Sequence, residues 1–247
     1  MRSDAVRIVP LKLPEGARAQ AQAATPLLTY RNGPLLGAVE VFALFWGSAW
    51  NTTSPDVVVA INNFLGYVVT SSLLDQLAEY SSQTTKIGHG SYLGSKVVAS
   101  PEPPATLSDA ALRTFLQDQI NSASGVPQPG ANTLYFIYLP SGVTVELSGS
   151  HSCQDFCGYH DAIGSTVFYA VEPYPDCSGC SASFAITDAL TITSSHELCE
   201  AITDPIPGQG WYDDANGEIG DICAWQTKRL GSYTVQLEWS NQAKRCL

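Results

Sequence analysis

The chain has 247 residues, which is long enough for one large domain or two small ones with a sizeable buried core. Hydrophobic residues make up 45% of the sequence and charged residues only 14%, a composition that excludes a disordered chain and favours a loop-rich folded protein. The net charge of −11 argues against binding to nucleic acid or to anionic lipid through charge.

The N-terminal residues 1–33 are predicted to be an irregular lead-in, followed by a single α/β domain over residues 34–247. The first segment contains arginines but no apolar stretch ahead of a small-residue cleavage site, so it does not predict a signal peptide. No stretch approaches the roughly 20 apolar residues that a membrane span needs. The most apolar one, GAVEVFALFWGSAW, is interrupted by Glu40 and is predicted to contain a buried strand over residues 40–47.

The next hundred residues alternate between predicted helices and strands. Ser54 and Pro55 favour the start of a helix, because serine is a common N-cap and proline suits the first helical position. Ser108 is predicted to cap an amphipathic helix in LSDAALRTFLQDQINSA. The strands TLYFIYLP and VTVELS are predicted to pair as a hairpin. Two further predicted elements are a helical stretch over residues 72–81 and a strand in SYLGSKVV.

Residues 150–247 are predicted to form the metal-site and cysteine-rich half of the domain. Its predicted elements are a strand in TVFYAVEP, a helix in TDALTITSSHELCEAIT and a final strand in SYTVQLEWS. Thr187 or Asp188 is the expected cap of the helix, which should end near Asp204 because the residue before a proline disfavours helical geometry. The alternation of strands and helices predicts an α/β (α+β) fold with a mixed sheet.

The predicted helix contains the sequence HELCE. His196 and Glu197 begin the zinc-protease pattern H-E-x-x-H, and Glu200 stands where that pattern has its second histidine. Residues four apart lie on one face of a helix, so His196 and Glu200 could hold one cation between them. A glutamate oxygen binds zinc at about the same distance as a histidine nitrogen, so the exchange is chemically permissible. Glu197 occupies the position of the general base in such enzymes.

A catalytic zinc site needs a third protein ligand and an open position for water. The downstream segment GWYDDANGEIGDIC offers two candidates, Glu218 and Asp221, and either could be the ligand while the other orients His196. Asp204 and His160 are weaker candidates for a ligand or a supporting role. The motif predicts one zinc ion, its identity as a divalent metal left open, in a zincin-like fold whose active-site helix carries HExxE.

The alternative interpretation is an ordinary i, i+4 pair on a solvated face, because His-Glu dipeptides are common on helices. The neighbouring residues argue for a metal. ALTITSS precedes the motif and AIT follows it, so His196, Glu197 and Glu200 form a charged cluster in an otherwise uncharged helix. A buried or half-buried cluster of that kind favours a bound cation.

Seven cysteines lie in the last hundred residues, so at least one is unpaired in a monomer. Cys153, Cys157 and His160, followed by Cys177 and Cys180, could form a structural zinc site; the alternative is a pair of disulfides that staple loops. The low charge and the Ser/Thr/Gly-rich surface favour disulfides, with their connectivity left open.

The remaining cysteines extend the disulfide interpretation. A pair between Cys223 and Cys246 would tie the last strand back, and Cys199, inside the HELCE motif, would be the spare thiol. This composition suits an extracellular or cell-surface protein.

Several segments resemble one known family. LLTYRNGPLLGAVEVFALFWGSAW, the pair FCGYH and CSGC, and AITDPIPGQGW resemble motifs of the EXORDIUM, or phosphate-induced, family of plant cell-wall proteins. The resemblance covers most of the chain from about residue 27 onward and implies a shared fold and an extracellular setting. The plant proteins lack the His-Glu pair, whereas SSHELCEAITDP and GEIGDIC look like bacterial and fungal members with an intact metal site.

Two functions follow as expectations. The first is a zinc-dependent, metallopeptidase-like hydrolase of peptide or protein substrates, in which the metal activates a water and Glu197 takes its proton. The second is a non-catalytic extracellular protein of the EXORDIUM type, in which the cluster is a structural metal site or binds nothing. Neither function involves nucleic acid or a membrane span.

Overall fold

The computed structural model describes residues 8–12, 25–122 and 125–247. The strands within these ranges are β1 (Ile8–Pro10), β2 (Thr29–Tyr30), β3 (Glu40–Trp46), β4 (Ser91–Val98), β5 (Thr106–Ser108), β6 (Thr133–Tyr138), β7 (Thr144–Leu147), β8 (Ser150–His151), β9 (Phe156–Ile163), β10 (Val167–Glu172), β11 (Trp211–Tyr212), β12 (Thr227–Leu230), β13 (Tyr233–Gln236), β14 (Trp239–Ser240) and β15 (Arg245–Cys246). The helices are α1 (Ala49–Thr52), α2 (Pro55–Val68), α3 (Ser72–Leu77), α4 (Asp109–Asn121), α5 (Ser178–Ser181) and α6 (Ile186–Thr203), with 3-10 helices at Ala78–Tyr80 and Asp221–Cys223.

Six strands form the central sheet in the order β1-β9-β10-β6-β3-β4. Strands β10, β6, β3 and β4 are parallel, β9 pairs antiparallel with β10, and β1 pairs antiparallel with β9. Every residue of β6 is buried, as expected for a central parallel strand that is covered on both faces. The mixed sheet and the α/β class predicted from the sequence are confirmed.

The predicted hairpin of TLYFIYLP with VTVELS is wrong. β6 pairs with β3 and β10 in the central sheet, whereas β7 pairs with β5 and β8 in a separate three-stranded sheet. The turn residues between the two strands predict a reversal of the chain, but they do not decide the partners. An apolar strand such as β6 gains most by being covered on both faces, and the centre of the sheet provides that.

Side chains of β3 alternate between two apolar layers. Val41, Ala43 and Phe45 pack in the layer that includes α2, α3 and α6. Phe42 and Leu44 pack in the layer that includes α4. Because successive strand residues point to opposite faces, one strand contributes to both layers. The sheet therefore has helices on both faces, and α6 lies on the same face as α2.

The predicted helices of the first half form where the sequence places them. Ser108 caps α4, and its side-chain oxygen accepts a hydrogen bond from the main-chain N–H of Ala111. Ser54 precedes α2, with Pro55 at its first position, but the Ser54 side chain makes no capping hydrogen bond. The helical stretch predicted over residues 72–81 consists of α3 and the 3-10 helix that follows it.

Helix α6 contains the HELCE motif and lies in the interior. It begins at Ile186, so the predicted caps Thr187 and Asp188 lie in its first turn instead. It ends at Thr203, as the proline two residues later predicts. All residues from Ala189 to Thr203 are buried, since the helix packs against β9, β10 and β13.

The two ends of the chain differ from the prediction. The lead-in predicted as irregular contains β1, which joins the edge of the central sheet, and β2, which pairs with β11. Residues 1–7 and 13–24 of that lead-in lie outside the described residues. The predicted final strand SYTVQLEWS is divided into β13 and β14, and β15 follows it. Short pairings with other segments therefore replace one long strand.

Disulfides staple the last third of the chain. The bonded pairs are Cys153–Cys177, Cys157–Cys180 and Cys223–Cys246. Cys199 is a buried free thiol, as predicted. Each bridge joins cysteines 23 or 24 positions apart, which in the chain-entropy model contributes about 3 kcal/mol. The predicted disulfides are confirmed, and the bonded sulfurs are not thiolates for a structural zinc site.

Among the described residues, no single helix is long and apolar enough to cross a membrane. Helix α2 and the segment Ser72–Tyr80, bent by 47° at the break between them, meet the length and composition only as a pair. Their large apolar side chains, including Phe64, Leu65 and Leu74, pack in the protein core.

Candidate metal centre

Six side chains that are able to bind a metal meet beside α6 and form the α6 cluster: His160, His196, Glu197, Glu200, Glu218 and Asp221. Helix α6 supplies three of them, β9 supplies one histidine, and the segment after β11 supplies the last two carboxylates. All except Asp221 are fully buried. The four ligands predicted from the motif thus lie together, and the weaker candidate His160 joins them.

His196 and Glu200 lie one helical turn apart. Nε2 of His196 is 2.9 Å from Oε1 of Glu200. The angles of this contact do not make a hydrogen bond, and Nε2 has no other hydrogen-bond partner. Zinc ligands at about 2.0–2.1 Å from a tetrahedral ion lie roughly 3 Å from one another. The contact therefore suits two neighbouring ligands of one cation.

Asp221 completes a first group of ligands, the outer site, which consists of His196, Glu200 and Asp221. Each residue offers one ligand atom, and these atoms lie within 4.8 Å of one another. The main-chain N–H of Asp221 donates to Oε1 of Glu200 at 3.1 Å, which fixes the 3-10 helix against α6. Since Asp221 is only half-buried, this site lies nearer to solvent than the rest of the cluster.

Glu218 belongs to a second group, the inner site, which consists of His160, Glu200 and Glu218, with ligand atoms again within 4.8 Å of one another. Nδ1 of His160 is 3.5 Å from Oε2 of Glu200, and its Nε2 is 3.6 Å from Oε1 of Glu218. Neither carboxylate oxygen of Glu218 accepts a hydrogen bond. The two candidates for the third ligand thus lie beside different histidines.

The ring of His160 is held between two acceptors. Its Nε2 lies 3.1 Å from the main-chain oxygen of Asp204, which can only accept, so Nε2 carries a proton. Its Nδ1 lies 3.0 Å from Oε2 of Glu197. Burial alone would lower the pKa of His160, but Glu218 and the other two glutamates raise it well above its ordinary value. A histidine that donates one N–H to a main-chain carbonyl presents its other nitrogen to a metal.

The ring of His196 is oriented by Gln236, a residue of β13. Nε2 of Gln236 lies 2.8 Å from Nδ1 of His196 and donates to the main-chain oxygen of Gly220 at 3.0 Å, while Oε1 of Gln236 accepts from Trp225 at 3.1 Å. These two main-chain partners set the amide orientation, so Nδ1 of His196 accepts. A Cβ on Gly220 would lie 2.8 Å from the imidazole, which is why this loop position needs glycine.

Protons balance the charge of the cluster. Burial raises the pKa of Glu218 well above its ordinary value, and the neighbouring carboxylate of Glu200 raises it further. Burial alone would raise the pKa of Glu200 as well, but the imidazoles of His196 and His160 outweigh burial and lower it. Divalent cations displace protons from such ligands, so metal affinity should increase with pH.

Asp204 has a structural role. Its Oδ1 accepts from the main-chain N–H groups of Gln209 and Gly210, and its Oδ2 accepts from Gly208. These bonds shape the loop after α6 and use the carboxylate that the sequence offered as a weaker metal ligand. The main-chain oxygen of Asp204, which orients His160, supports the cluster instead.

Two buried glutamates near the cluster escape sequence reasoning. Glu172 ends β10; its Oε2 accepts from Thr193 at 2.8 Å, and its Oε1 has no hydrogen-bond partner. Glu238 follows β13, and neither of its carboxylate oxygens has a partner. Burial raises the pKa of both carboxyls well above the ordinary value. In the sequence, each is a single acidic residue near the end of an apolar strand. It belongs to no motif with a characteristic spacing, so the sequence does not distinguish it.

The cluster has five fully buried side chains, and only Asp221 is half-buried. Two surface cavities, of about 710 Å³ and 340 Å³, are lined by residues outside it. Strand β1 borders the cluster at the sheet edge: Val9 is buried and pairs with Gly158, where a Cβ would lie 3.3 Å from Oε1 of Glu197. A substrate could reach Glu197 only after a covering segment moves.

The fold and the site define a class: a disulfide-bonded, mixed α/β protein with a buried group of side chains that could hold a divalent cation. Three disulfides indicate an oxidising environment. No protein-family model matches the chain, and no curated protein is significantly similar to it. The family resemblance and the peptidase activity therefore stay hypotheses.

Proposed function

We propose that the chain is a zinc-dependent, zincin-like hydrolase of peptide bonds, centred on the α6 cluster. One observation carries the proposal. The cluster contains buried polar atoms without a hydrogen-bond partner: Nε2 of His196, Oε1 of Glu197, Oε2 of Glu200 and both carboxylate oxygens of Glu218. Buried polar atoms nearly always have a partner, so this concentration of exceptions in one place calls for a specific explanation, and a cation supplies it.

The donor set fits zinc. Imidazole nitrogen and carboxylate oxygen are both zinc ligands, and His196, Glu200 and Asp221 give the three protein ligands that a catalytic site uses. A zinc ion there would supply Lewis acidity, which lowers the pKa of a water and polarises a substrate carbonyl. The half-buried position of Asp221 leaves this site nearest to an incoming substrate.

Glu197 is the proposed general base. Its Oε2 is held by Nδ1 of His160 at 3.0 Å, while its Oε1 has no partner and can accept a proton from the attacking water. Burial raises the pKa of Glu197, although the hydrogen bond from His160 opposes that effect. A raised pKa brings the carboxyl closer to the operating pH, where a general base works best.

The proposed route to the base opens when β1 leaves the sheet edge, because β1 pairs with β9 beside Glu197. Val9 is fully buried beside Gly158, so Val9→Asp should weaken the pairing of β1 with β9 and raise the rate of peptide cleavage at unchanged metal content. An exposed edge strand can then pair with an extended peptide through main-chain hydrogen bonds. A lower rate with full metal content would contradict this route to the site.

The experiment compares wild type with Glu197→Gln and with the double variant His196→Ala and Glu200→Ala. The full chain is loaded with zinc and dialysed, and its metal content and its cleavage of a quenched-fluorescent peptide library are measured. We expect bound zinc in wild type and Glu197→Gln, cleavage in wild type alone, and neither in the double variant. Glu146→Gln, at an exposed position of β7, is the matched control. Wild type without stoichiometric metal would overturn the proposal.

The burial of five of the six side chains of the cluster favours a second candidate. A deeply buried site suits a structural metal, as in a non-catalytic extracellular protein of the EXORDIUM type. In that case chelation unfolds the protein, and neither Val9→Asp nor any peptide yields cleavage above the Glu197→Gln background. The extracellular setting is common to both candidates and agrees with the three disulfides.

A further inference from the structure

The two carboxylate oxygens of Glu200 face different histidines. Oε1 lies 2.9 Å from Nε2 of His196, and Oε2 lies 3.5 Å from Nδ1 of His160. Each histidine has its own second carboxylate, Asp221 in the outer site and Glu218 in the inner site. Glu200 is the one ligand that both sites share, and one carboxylate can bridge two metal ions through its two oxygens.

We propose that the α6 cluster holds two divalent cations, one in the outer site and one in the inner site, with Glu200 as the shared carboxylate. This proposal rests on the proposed function in one respect, since the outer ion is the catalytic one. The inner ion is an addition that neither the HExxE motif nor a single zinc ion requires.

The charges of the cluster match two ions. Glu197, Glu200, Glu218 and Asp221 carry four negative charges when ionised, and the two histidines are neutral as ligands. One divalent cation offsets half of that charge and two offset all of it. Because unbalanced charges are costly in a buried place, the second ion stabilises the ionised form of the cluster.

Both sites contain buried side-chain atoms without a hydrogen-bond partner. The outer site has Nε2 of His196, and the inner site has both oxygens of Glu218 and Oε2 of Glu200. The side chains of all three residues are fully buried. A single ion in the outer site would leave the carboxylate of Glu218 without a hydrogen bond and with the imidazole of His160, at 3.6 Å, as its nearest basic group, so the inner site favours its own cation.

The two sites differ in how far the hydrogen bonds of their histidines already suit metal binding. His160 already donates its Nε2 proton to the main chain of Asp204, so ligation through Nδ1 requires only the loss of the Nδ1 proton that it shares with Oε2 of Glu197. His196 receives a hydrogen bond at Nδ1 from Gln236, so ligation through Nε2 requires this amide to turn over. The inner site should therefore fill first and the outer site second. Nitrogen and oxygen donors in this ratio suit zinc or manganese.

The test is the metal stoichiometry of the full chain. Chelator-treated protein is titrated with zinc and its bound metal is counted after dialysis. We expect two ions in wild type, one in His160→Gln and one in His196→Gln. His89→Gln, an exposed histidine paired with Asp75, is the matched control and should keep two. Gln236→Glu gives Nδ1–H of His196 an acceptor and should tighten the second ion about 10- to 100-fold.

Manganese loading gives a readout that does not depend on a folded variant. Two Mn²⁺ ions that share a carboxylate should show an exchange-coupled electron paramagnetic resonance spectrum in wild type, and the single-histidine variants should show isolated Mn²⁺. One ion per chain in wild type, or an uncoupled spectrum at saturation, would overturn the inference. Two coupled ions without peptide cleavage would support it while overturning the proposed function; no bound ion would overturn both.

Discussion

Two groups of buried or half-buried charges lie on opposite faces of the central sheet. The α4 network consists of Asp109, Arg113, Tyr159, Asp161 and Tyr169. Arg113 donates to the carboxylates of Asp109 and Asp161, and both tyrosine hydroxyls donate to Oδ1 of Asp109, at 2.8 Å and 2.7 Å. Every carboxylate of this network has a donor.

The α6 cluster is more deeply buried than the α4 network, and it also differs in its hydrogen-bond partners. Acidic groups outnumber basic ones in both groups, but of the two only the α6 cluster has buried side-chain atoms without a hydrogen-bond partner. The α4 network therefore has the features of a structural device that fixes α4 against β9 and β10. Buried atoms without a hydrogen-bond partner, and not buried charge alone, distinguish the α6 cluster as a ligand site.

The largest expected effect concerns the base of the α6 cluster. Glu197→Gln keeps the shape of the side chain but cannot accept a proton, so hydrolysis should fall by about 10²- to 10⁴-fold. Metal content should remain at the wild-type level. Steady-state cleavage of the peptide library measures the loss, and a variant that retains more than a tenth of the wild-type rate would remove Glu197 from the proposed chemistry.

A substitution in the α4 network should change the stability of the protein and not its activity or metal content. Arg113→Ala leaves the carboxylates of Asp109 and Asp161 without their cation, and we expect a loss of roughly 2–3 kcal/mol in the free energy of unfolding. Metal content of the folded variant should not change. Arg31→Ala removes a pair with the exposed Asp214 and should cost less than about 1 kcal/mol in the same denaturant titration. If Arg113→Ala lost metal, the α4 network would take part in metal binding and would not be purely structural.

A buried carboxyl near the cluster makes stability depend on pH. Burial raises the folded-state pKa of Glu238 well above its ordinary value, so above about pH 4.3 the unfolded chain releases this proton first. The folded state then holds more protons, and stability falls as the pH rises. Chelated Glu238→Gln should match wild type at pH 4 and exceed it in the free energy of unfolding at pH 7.

Denaturant unfolding at both pH values measures this effect, with Glu146→Gln as an exposed control. A constant difference between Glu238→Gln and wild type across the pH range would show that Glu238 is ionised in the folded protein.

The smallest expected effect concerns Ser108 and Ser54, the two serines predicted to cap helices. The Ser108 hydroxyl caps α4, so Ser108→Ala should cost about 1 kcal/mol in the free energy of unfolding. The Ser54 side chain makes no cap, so Ser54→Ala should cost only a few tenths of that. Equal costs would indicate that the position before a helix matters through its backbone alone, and that α4 is not fixed by this contact.

Local patterns predict much of this molecule. Helical spacing locates α2, α4 and α6, with the predicted cap present at α4 alone, and the i, i+4 rule brings His196 together with Glu200. The cysteine pattern predicts disulfides with Cys199 left free, because the other six cysteines lie near turns and chain ends whereas Cys199 lies within a predicted helix.

Local sequence patterns do not predict the tertiary contacts of the cluster and the sheet. His160 lies 36 residues before His196 and enters the cluster only because β9 lies beneath α6. The pairing of β6 follows from burial on both faces, which no turn residue encodes. Gln236 and Glu238 lie in a strand whose position against α6 depends on the whole fold.

A zinc-loaded crystal shows whether a metal ion binds at Glu200. Anomalous scattering on both sides of the zinc absorption edge locates the ion. We expect a peak about 2.0–2.2 Å from a Glu200 carboxylate oxygen, with a nitrogen of His196 or His160 at about 2.0–2.1 Å. A zinc-soaked crystal whose only anomalous signal comes from the sulfurs would contradict it.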